Sequence, residues 1–334
     1  MRRVSAIAVG CVLVLSGILK LMDPVGTGLL MESYSGFLHL SFLKPAGLPL
    51  GVLLSLFESV LGTALVTGVF KKVAGIISGT VLGFFTVLTA VMWFCDAPMD
   101  CGCFGEAVHL SHLQSLVKNL VLMALWAFAF LPFDTLSNCC RKVKYATFAL
   151  VSLSVCAFSV YSLLSVPLMD FTPFAPGEEL FNEQTYAMPE APMLSFCDED
   201  GEYADSLALG ARVLVISLYN ASEPDPRSIA CIEDAQRAGM QPLLLVSGDV
   251  SAPVQSYRAD RRMLMTLNRS NGGATYIADG QIIAKWPVRS LPDASELAEL
   301  AKTSPDESVI DENTPKRLKL QGFLLYVFAV LLLI

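Results

Sequence analysis

Residues 46–70 read AGLPLGVLLSLFESVLGTALVTGVF, twenty-five residues with a single charge, Glu58. A helix of about 20 mostly apolar residues crosses a bilayer, so this stretch predicts a membrane span and sets the fold class. Within it Gly47, Gly51, Ser55, Ser59, Thr63 and Thr67 recur every fourth residue. Such a ladder of small side chains lets a neighbouring helix approach closely. Glu58 lies at ~18 Å of depth, twelve residues in at 1.5 Å each, where a carboxyl is costly and by default functional. It borders the ladder and should face the bundle interior. Lys20 and Lys118 sit near the outer ends of their spans, too shallow to reach an untilted Glu58, so the sequence assigns it no cation. A buried carboxyl without a cation keeps its proton. The competing reading is a structural hydrogen bond to Ser or Thr hydroxyls.

Four more stretches qualify as spans: roughly 4–22, 73–94, 113–133 and 145–166. Gly75, Gly79 and Gly83 form a second small-residue ladder in span three, which predicts that spans one to four make one tight bundle. The whole chain agrees: 334 residues, 54% hydrophobic, 16% charged and mean hydropathy +0.56. Soluble proteins carry about 25% charged residues, so an all-soluble chain is excluded, as are collagenous and disordered ones. With 23 basic against 31 acidic residues, nothing recruits nucleic acid.

Charge also sets orientation. Arg2 and Arg3, Lys71 and Lys72, and Arg141, Lys142 and Lys144 flank the spans on one side, which the positive-inside rule makes cytoplasmic. Loops 23–45 and 95–112, and everything after residue 166, then face outward from a bacterial inner membrane. Residues 1–168 hold 10 basic and 7 acidic side chains, residues 169–334 hold 13 and 24, in keeping with two compartments. A cleaved signal peptide is the weaker reading of span one, because no small-x-small site precedes Lys20. A lipoprotein site at Cys11 lacks a preceding apolar region.

Of the nine cysteines, Cys11 and Cys156 fall inside spans and Cys139 and Cys140 in a cytoplasmic loop. Cys95, Cys101, Cys103, Cys197 and Cys231 face outward, where disulfides persist; an odd number leaves at least one unpaired internally. Three of them crowd into FCDAPMDCGCFG, residues 94–105. Thiol–disulfide exchange needs an attacking thiolate, an accessible disulfide and a resolving thiol, and Cys101, Cys103 and Cys95 supply such a set at the mouth of the bundle. Gly102 relaxes the backbone between the paired cysteines, and a bridge across one residue would be strained and easily reduced. Asp96 and Asp100 disfavour thiolates, which predicts an oxidising disulfide rather than a low-pKa nucleophile. Two alternatives stay open: a structural disulfide, and a metal site using Cys95, Cys101, Cys103, His109 and His112, whose spacing fits no standard zinc motif.

Ser16-Gly17-x-x-Lys20-x-x-Asp23-Pro24, Glu58 followed by Gly62, Asp100-Cys101-Gly102-Cys103-Phe104-Gly105 and Lys118-Asn119 together resemble the DoxX/MauE family of bacterial membrane proteins, in particular its MauE branch. The resemblance covers about residues 1–135, and the Cys-Gly-Cys-Phe-Gly piece is its specific part. It implies a four-helix membrane domain, similar in outline to vitamin K epoxide reductase-type proteins. It also implies a redox role of the kind MauE has in disulfide formation beside a thioredoxin-like partner. It does not make methylamine a substrate.

Residues 136–168 carry the fifth span, and the Pro- and Glu-rich stretch within 169–192 reads as a linker. Residues 193–304 then read as an α/β domain. A buried strand over 211–219 precedes a helix with Asp225 as N-cap and Pro226 at N1, ending at Gly239. A strand over 241–247, a helix over 252–267 capped by Ser251, a hairpin turning at Asp279-Gly280 and a helix capped by Asp293 follow. This order resembles the thioredoxin fold without its Cys-x-x-Cys: the equivalent junction reads Asn220-Ala-Ser-Glu-Pro-Asp-Pro226, and Asn271-Gly-Gly273 stands where a cis-proline would be. Residues 318–334 are apolar after Lys316, Arg317 and Lys319 and predict a short C-terminal transmembrane helix, the alternative being a tail that lies against the membrane surface.

The expected protein is thus an α-helical membrane bundle with an α/β thioredoxin-like extracytoplasmic domain. It passes oxidising equivalents through Cys101 and Cys103, with Cys95 assisting, to exported thiol proteins, and no metal is assigned. By analogy alone, a quinone is the electron acceptor, with Glu58 beside it or handling protons. The alternative is a membrane-anchored scaffold with a structural disulfide. A transporter rests on little beyond Glu58, since no internal repeat or broken helix pair is visible.

Overall fold

The computed structural model describes residues 1–131, 142–181, 191–220, 223–250 and 252–332. Cys139, Cys140, Arg141 and Ser251 lie outside them. Two compact units result: residues 1–162 with 322–334, and residues 163–321.

In the first unit α1 is Arg2–Met22, α2 Pro24–Phe37, α3 Gly47–Thr67, α4 Lys71–Phe94, α5 His112–Phe130 and α6 Lys142–Leu164. Among the described residues five helices are long and apolar enough to cross a membrane, α3 together with the 3-10 turn before it and α1, α4, α5 and α6. The chain is a multi-pass membrane protein. Helix α2 was not anticipated: the segment 23–45 was read as an outward loop. Its start is nevertheless written in the sequence, because the Asp23 side chain accepts from Gly26 N at 2.9 Å and Pro24 occupies the first turn, the N-cap and N1 positions that suit those residues.

The two small-residue ladders do close the bundle, but against different partners. On α3, the ladder faces α1 and α2. A Cβ on Gly17 of α1 would fall 2.1 Å from Ser59 Oγ and 2.5 Å from Ser55 O, and one on Gly47 would fall 2.7 Å from Gly28 O. On α4, the ladder faces aromatic rings of α5: a Cβ on Gly79 would lie 2.2 Å from the Trp126 ring and one on Gly75 2.6 Å from Phe130. Trp126 Nε1 also donates to Gly75 O at 2.7 Å. Ser55, Ser59, Thr63 and Thr67 each bond the carbonyl four residues back, so their hydroxyls are satisfied inside their own helix. Leu61, Leu65, Leu82, Leu122 and Phe130 complete an apolar core.

The second unit is built on a six-stranded mixed sheet: β1 Phe196–Cys197, β2 Val213–Leu218, β3 Gln241–Val246, β4 Ser256–Ala259, β5 Gly273–Ala278 and β6 Gln281–Trp286, in the order β1-β4-β3-β2-β5-β6. Strands β2, β3 and β4 run parallel, while β5 pairs antiparallel with β2 and with β6. Every residue of β2 is buried, the unbroken apolar pattern of a strand covered on both faces. Helix α7, Pro226–Arg237, crosses from β2 to β3 with Asp225 as its cap. Asp279 and Gly280 take φ of 48° and 81° in the expected hairpin.

The helix expected over 252–267 is shorter. Residues 256–259 form β4, in register with Leu244–Val246, and α8, Arg261–Leu267, starts at an Asp260 cap. The exposed edge of β3 offers a ladder that local propensity does not see. The stretch read as a linker is also tied to this unit over its described residues. Gly177 N donates to Ile282 O at 2.7 Å and Leu180 N to Gly280 O at 2.8 Å, and Asp170 pairs with buried Lys285 at 2.6 Å. Helix α9 is Ala294–Leu300, and α10 runs Pro305–Leu332 through Pro315. The apolar tail is therefore the end of a longer helix, whose Phe323 ring stacks on Phe158 of α6 at 4.3 Å.

Candidate functional site

Cys101 and Cys103 lie in the segment between α4 and α5. Gly102 between them has φ of +53°, and a Cβ there would meet Leu30 Cδ2 of α2 at 1.8 Å, so a side chain would be strained and would have to push Leu30 aside. Both flanking carbonyls are clamped by hydroxyls: Tyr34 of α2 donates to Cys101 O, and Ser16 of α1 lies 2.6 Å from Cys103 O. This geometry brings the two sulfurs to 3.3 Å as free thiols. Thr89 Oγ1 lies 3.7 Å from Cys101 Sγ and accepts from Asn119 Nδ2 at 3.2 Å.

The two thiols differ sharply. Cys103 is pulled down to about 5, first by the hydrogen bond from Cys101 and then by the charges of Lys118 and Lys20, against the penalty of its own burial. Cys101 is pushed well above the ordinary thiol range, chiefly because it holds the proton shared with Cys103, and because it is buried. The pair is thus one thiolate and one thiol. The expectation that Asp96 and Asp100 would suppress a thiolate is corrected: Asp100 is turned to His109, 2.8 Å away, and Cys103 faces lysines instead. Lys118 Nζ also lies 4.8 Å from the ring of Phe104.

Differential alkylation read by mass spectrometry checks this assignment. Cys103 is charged above about 5, so its reaction with iodoacetamide should be near its plateau at neutral pH and decline as pH falls through that value. Cys101 should stay unreactive until well into the alkaline range. Lys118→Met should move the Cys103 inflection upward. An inflection near 8.5, the value of a free cysteine, would refute the pairing.

Glu58, left without a cation by the sequence, is paired after all. Lys20 Nζ lies 2.7 and 2.8 Å from its two carboxylate oxygens, with side chains 6% and 1% exposed. The depth argument failed because the helix ends are not level: the first turns of α3 run beside α2, where Gly47 and Gly51 meet Gly28 and Thr27, so Glu58 comes level with Lys20. Ser16 Oγ lies 2.8 Å from Glu58 Oε2 and 3.2 Å from Lys20 Nζ, linking the ion pair to the Cys103 carbonyl.

These groups line one cavity of about 310 Å³, otherwise walled by leucines, methionines and phenylalanines of α1 to α5. Cys101, Cys103, Lys20, Glu58, Lys118 and Asn119 are joined in its lining by the hydroxyls of Ser16, Tyr34, Ser35 and Thr89, a mostly apolar pocket with convergent polar groups that could orient a ligand. Cys95 does not join them: it caps the end of α4, exposed, with its amide bonded to Val91 O. His112 Nε2 lies 3.0 Å from Ala97 O, and among the described residues no three His, Cys, Asp or Glu side chains converge as a metal site would require. In the α/β unit Cys231 is buried and pushed up to about 12 by that burial, while Cys197 stands in edge strand β1. Both are free thiols.

Sequence reasoning missed Ser16, Tyr34 and Thr89 as members of the site. Ser16 carried a signal, four residues before Lys20 on one helix face; Tyr34 carried none, since its helix was not foreseen. Residues 2–132 match the model of the family described as methylamine utilisation protein MauE, which spans α1 to α5 and the whole cavity and stops short of the α/β unit. No curated protein and no solved structure gives a significant match.

Proposed function

We propose, from a membrane domain of MauE type with a thiol pair at the end of an apolar cavity, that this protein exchanges thiols and disulfides with exported proteins and delivers the electrons to a quinone. In the oxidising half, two thiols of the exported protein become a disulfide while the Cys101–Cys103 bridge opens to two thiols. In the return half the pair gives two electrons and two protons to the quinone, which becomes a hydroquinone as the bridge re-forms. Cys103 is the sulfur that leaves when the bridge opens, because a lower-pKa thiol leaves faster. The Lys20–Glu58 pair handles protons at the cavity wall.

The observation that carries this reading is the sulfur-to-sulfur approach of 3.3 Å at the wall of a largely apolar cavity that also holds the Lys20–Glu58 pair. The topology with residues 169–316 outside an inner membrane, and the α/β unit as a thioredoxin-like module that docks partners, belong to the same proposal; the order of β2, α7, β3, the β5–β6 hairpin and α9 supports the latter. The exported partner's redox pair would have to be its own, since residues 220–226 hold no cysteine.

Spheroplasts treated with a membrane-impermeant thiol reagent test the proposal. Cys101 and Cys103 should switch between labelled and protected states as an oxidant or reductant is supplied, and Cys103→Ser should trap a mixed disulfide on Cys101. In lipid discs, dithiothreitol should reduce a short-chain quinone through the wild type and only at the background rate through Cys101→Ser or Cys103→Ser. Cysteines that never change state, or labelling from the cytoplasmic side alone, would leave an anchored scaffold as the better description.

A further inference from the structure

Away from the thiol chemistry, the α/β unit carries a second cavity, an open cleft of about 600 Å³ between the end of β6, α9 and the first turns of α10. Four carboxylates line it: Glu296 and Glu299 from α9, Asp311 and Glu312 from α10. Among the described residues no lysine, arginine or histidine lines it, and none of the four makes an ion pair. Glu296 gives one oxygen to Asp293 N at 3.1 Å as part of a capping box, which leaves its other oxygen uncommitted by that contact. Like charges gathered without counter-charge repel one another, and here burial with the nearby Glu296 and Asp311 holds the Glu312 carboxyl above its usual range, against the pull of Lys316.

A second feature of the wall is independent of that charge. Ser308 lines the cleft, is 2% exposed, and its Oγ has no hydrogen-bond partner. A buried hydroxyl left unsatisfied is a cost that native proteins avoid unless something completes it. Its lone pairs can take an N–H donor. Trp286, at the end of β6, adds an aromatic wall, and an indole face attracts an ammonium group. Among the described residues no three carboxylates converge on one point as a metal ion requires, so the matching positive charge is spread along a chain rather than concentrated in one ion.

We infer that this cleft binds an extended organic polycation, its ammonium groups paired with Glu299, Asp311, Glu312 and Glu296, one of them donating to Ser308 Oγ and its methylenes lying against Trp286. The same chemistry is offered by a free polyamine and by the lysine side chains of a polypeptide.

Calorimetric titration of the full chain in lipid discs tests it with three probes: spermidine, N-acetyl-trilysine amide and calcium chloride. Spermidine or trilysine should bind one per chain and weaken as salt rises. Glu299→Gln with Asp311→Asn should weaken that binding at least tenfold, and Trp286→Phe, a change that keeps an apolar ring in place, should weaken it several-fold. Ser308→Ala should also weaken binding several-fold while leaving the unfolding temperature of the free protein unchanged or raised, since it deletes an unsatisfied group; a purely structural serine would lower that temperature. Tighter binding of spermidine assigns a free polyamine, and tighter binding of trilysine assigns a polypeptide. Binding of neither, binding indifferent to the carboxylate changes, or calcium bound as tightly as spermidine would overturn the inference.

Discussion

Lys20→Met is expected to destabilise the membrane domain by about 3–5 kcal/mol, the usual cost of removing one partner from a buried ion pair. Glu58 is 1% exposed and takes two of its three short contacts from Lys20 Nζ, at 2.7 and 2.8 Å; without Lys20 only the Ser16 hydroxyl, 2.8 Å away, is left. A buried carboxylate so exposed to an apolar wall must either pay its desolvation or take up a proton. The double change Lys20→Met with Glu58→Gln should recover most of the loss, because removing both charges is often close to neutral. Thermal unfolding in detergent, followed by far-ultraviolet circular dichroism, gives the comparison. If Lys20→Met unfolds like the wild type, the ion pair is not a structural element of the bundle. If the double variant is stable but reduces quinone slowly, the pair is retained for proton handling rather than for stability.

Gly17→Val should be about as damaging. The added Cβ alone would fall 2.1 Å from Ser59 Oγ, 2.5 Å from the Ser55 carbonyl and 2.9 Å from Ser59 N; the hydroxyl could rotate aside, but the two backbone atoms of α3 have no torsion to move them away. Overpacking a tight core costs roughly 1–3 kcal/mol, and contact with backbone puts this case at ~3 kcal/mol or more, with α1 forced off α3. Because Ser16 and Lys20 flank Gly17 on that helix, the shift should also loosen the Cys103 carbonyl contact and raise the apparent pKa of Cys103 in the alkylation profile. Gly83→Ala is the matched control: its Cβ would meet nothing nearer than Met123 Cε at 3.6 Å, so it should leave both stability and the profile unchanged. A Gly17→Val variant as stable as that control would mean the helices are not packed as closely as described.

The elements written most plainly in the chain are those where local chemistry and burial agree. The five long apolar runs have no other stable form in lipid than helices, and the Asp225-Pro226 helix start and the Asp279-Gly280 turn follow from backbone preferences alone. The start of helix α2 is written in Asp23-Pro24, but its 14 residues are too few to cross a bilayer, so hydropathy alone marks them only as part of a loop between spans. Strand β4 was not legible, since residues 256–259 become a strand only when the edge of β3 lies beside them.

The site divides in the same way. Cys101, Gly102 and Cys103 stand out from spacing, and Glu58 from its charge in an apolar span, because both depend on residue type and neighbours in the chain. The thiolate on Cys103, the Lys20 partner of Glu58 and the hydroxyl clamps from Tyr34 and Ser16 depend on distances between segments far apart in sequence, and the acidic cleft of the α/β unit, though its residues fall within 286–312, depends on how α9 and α10 fold against the end of β6. Hydrogen bonds act only at contact and a charge acts most strongly on its nearest neighbours, so only the packed elements could decide which group each of these would meet.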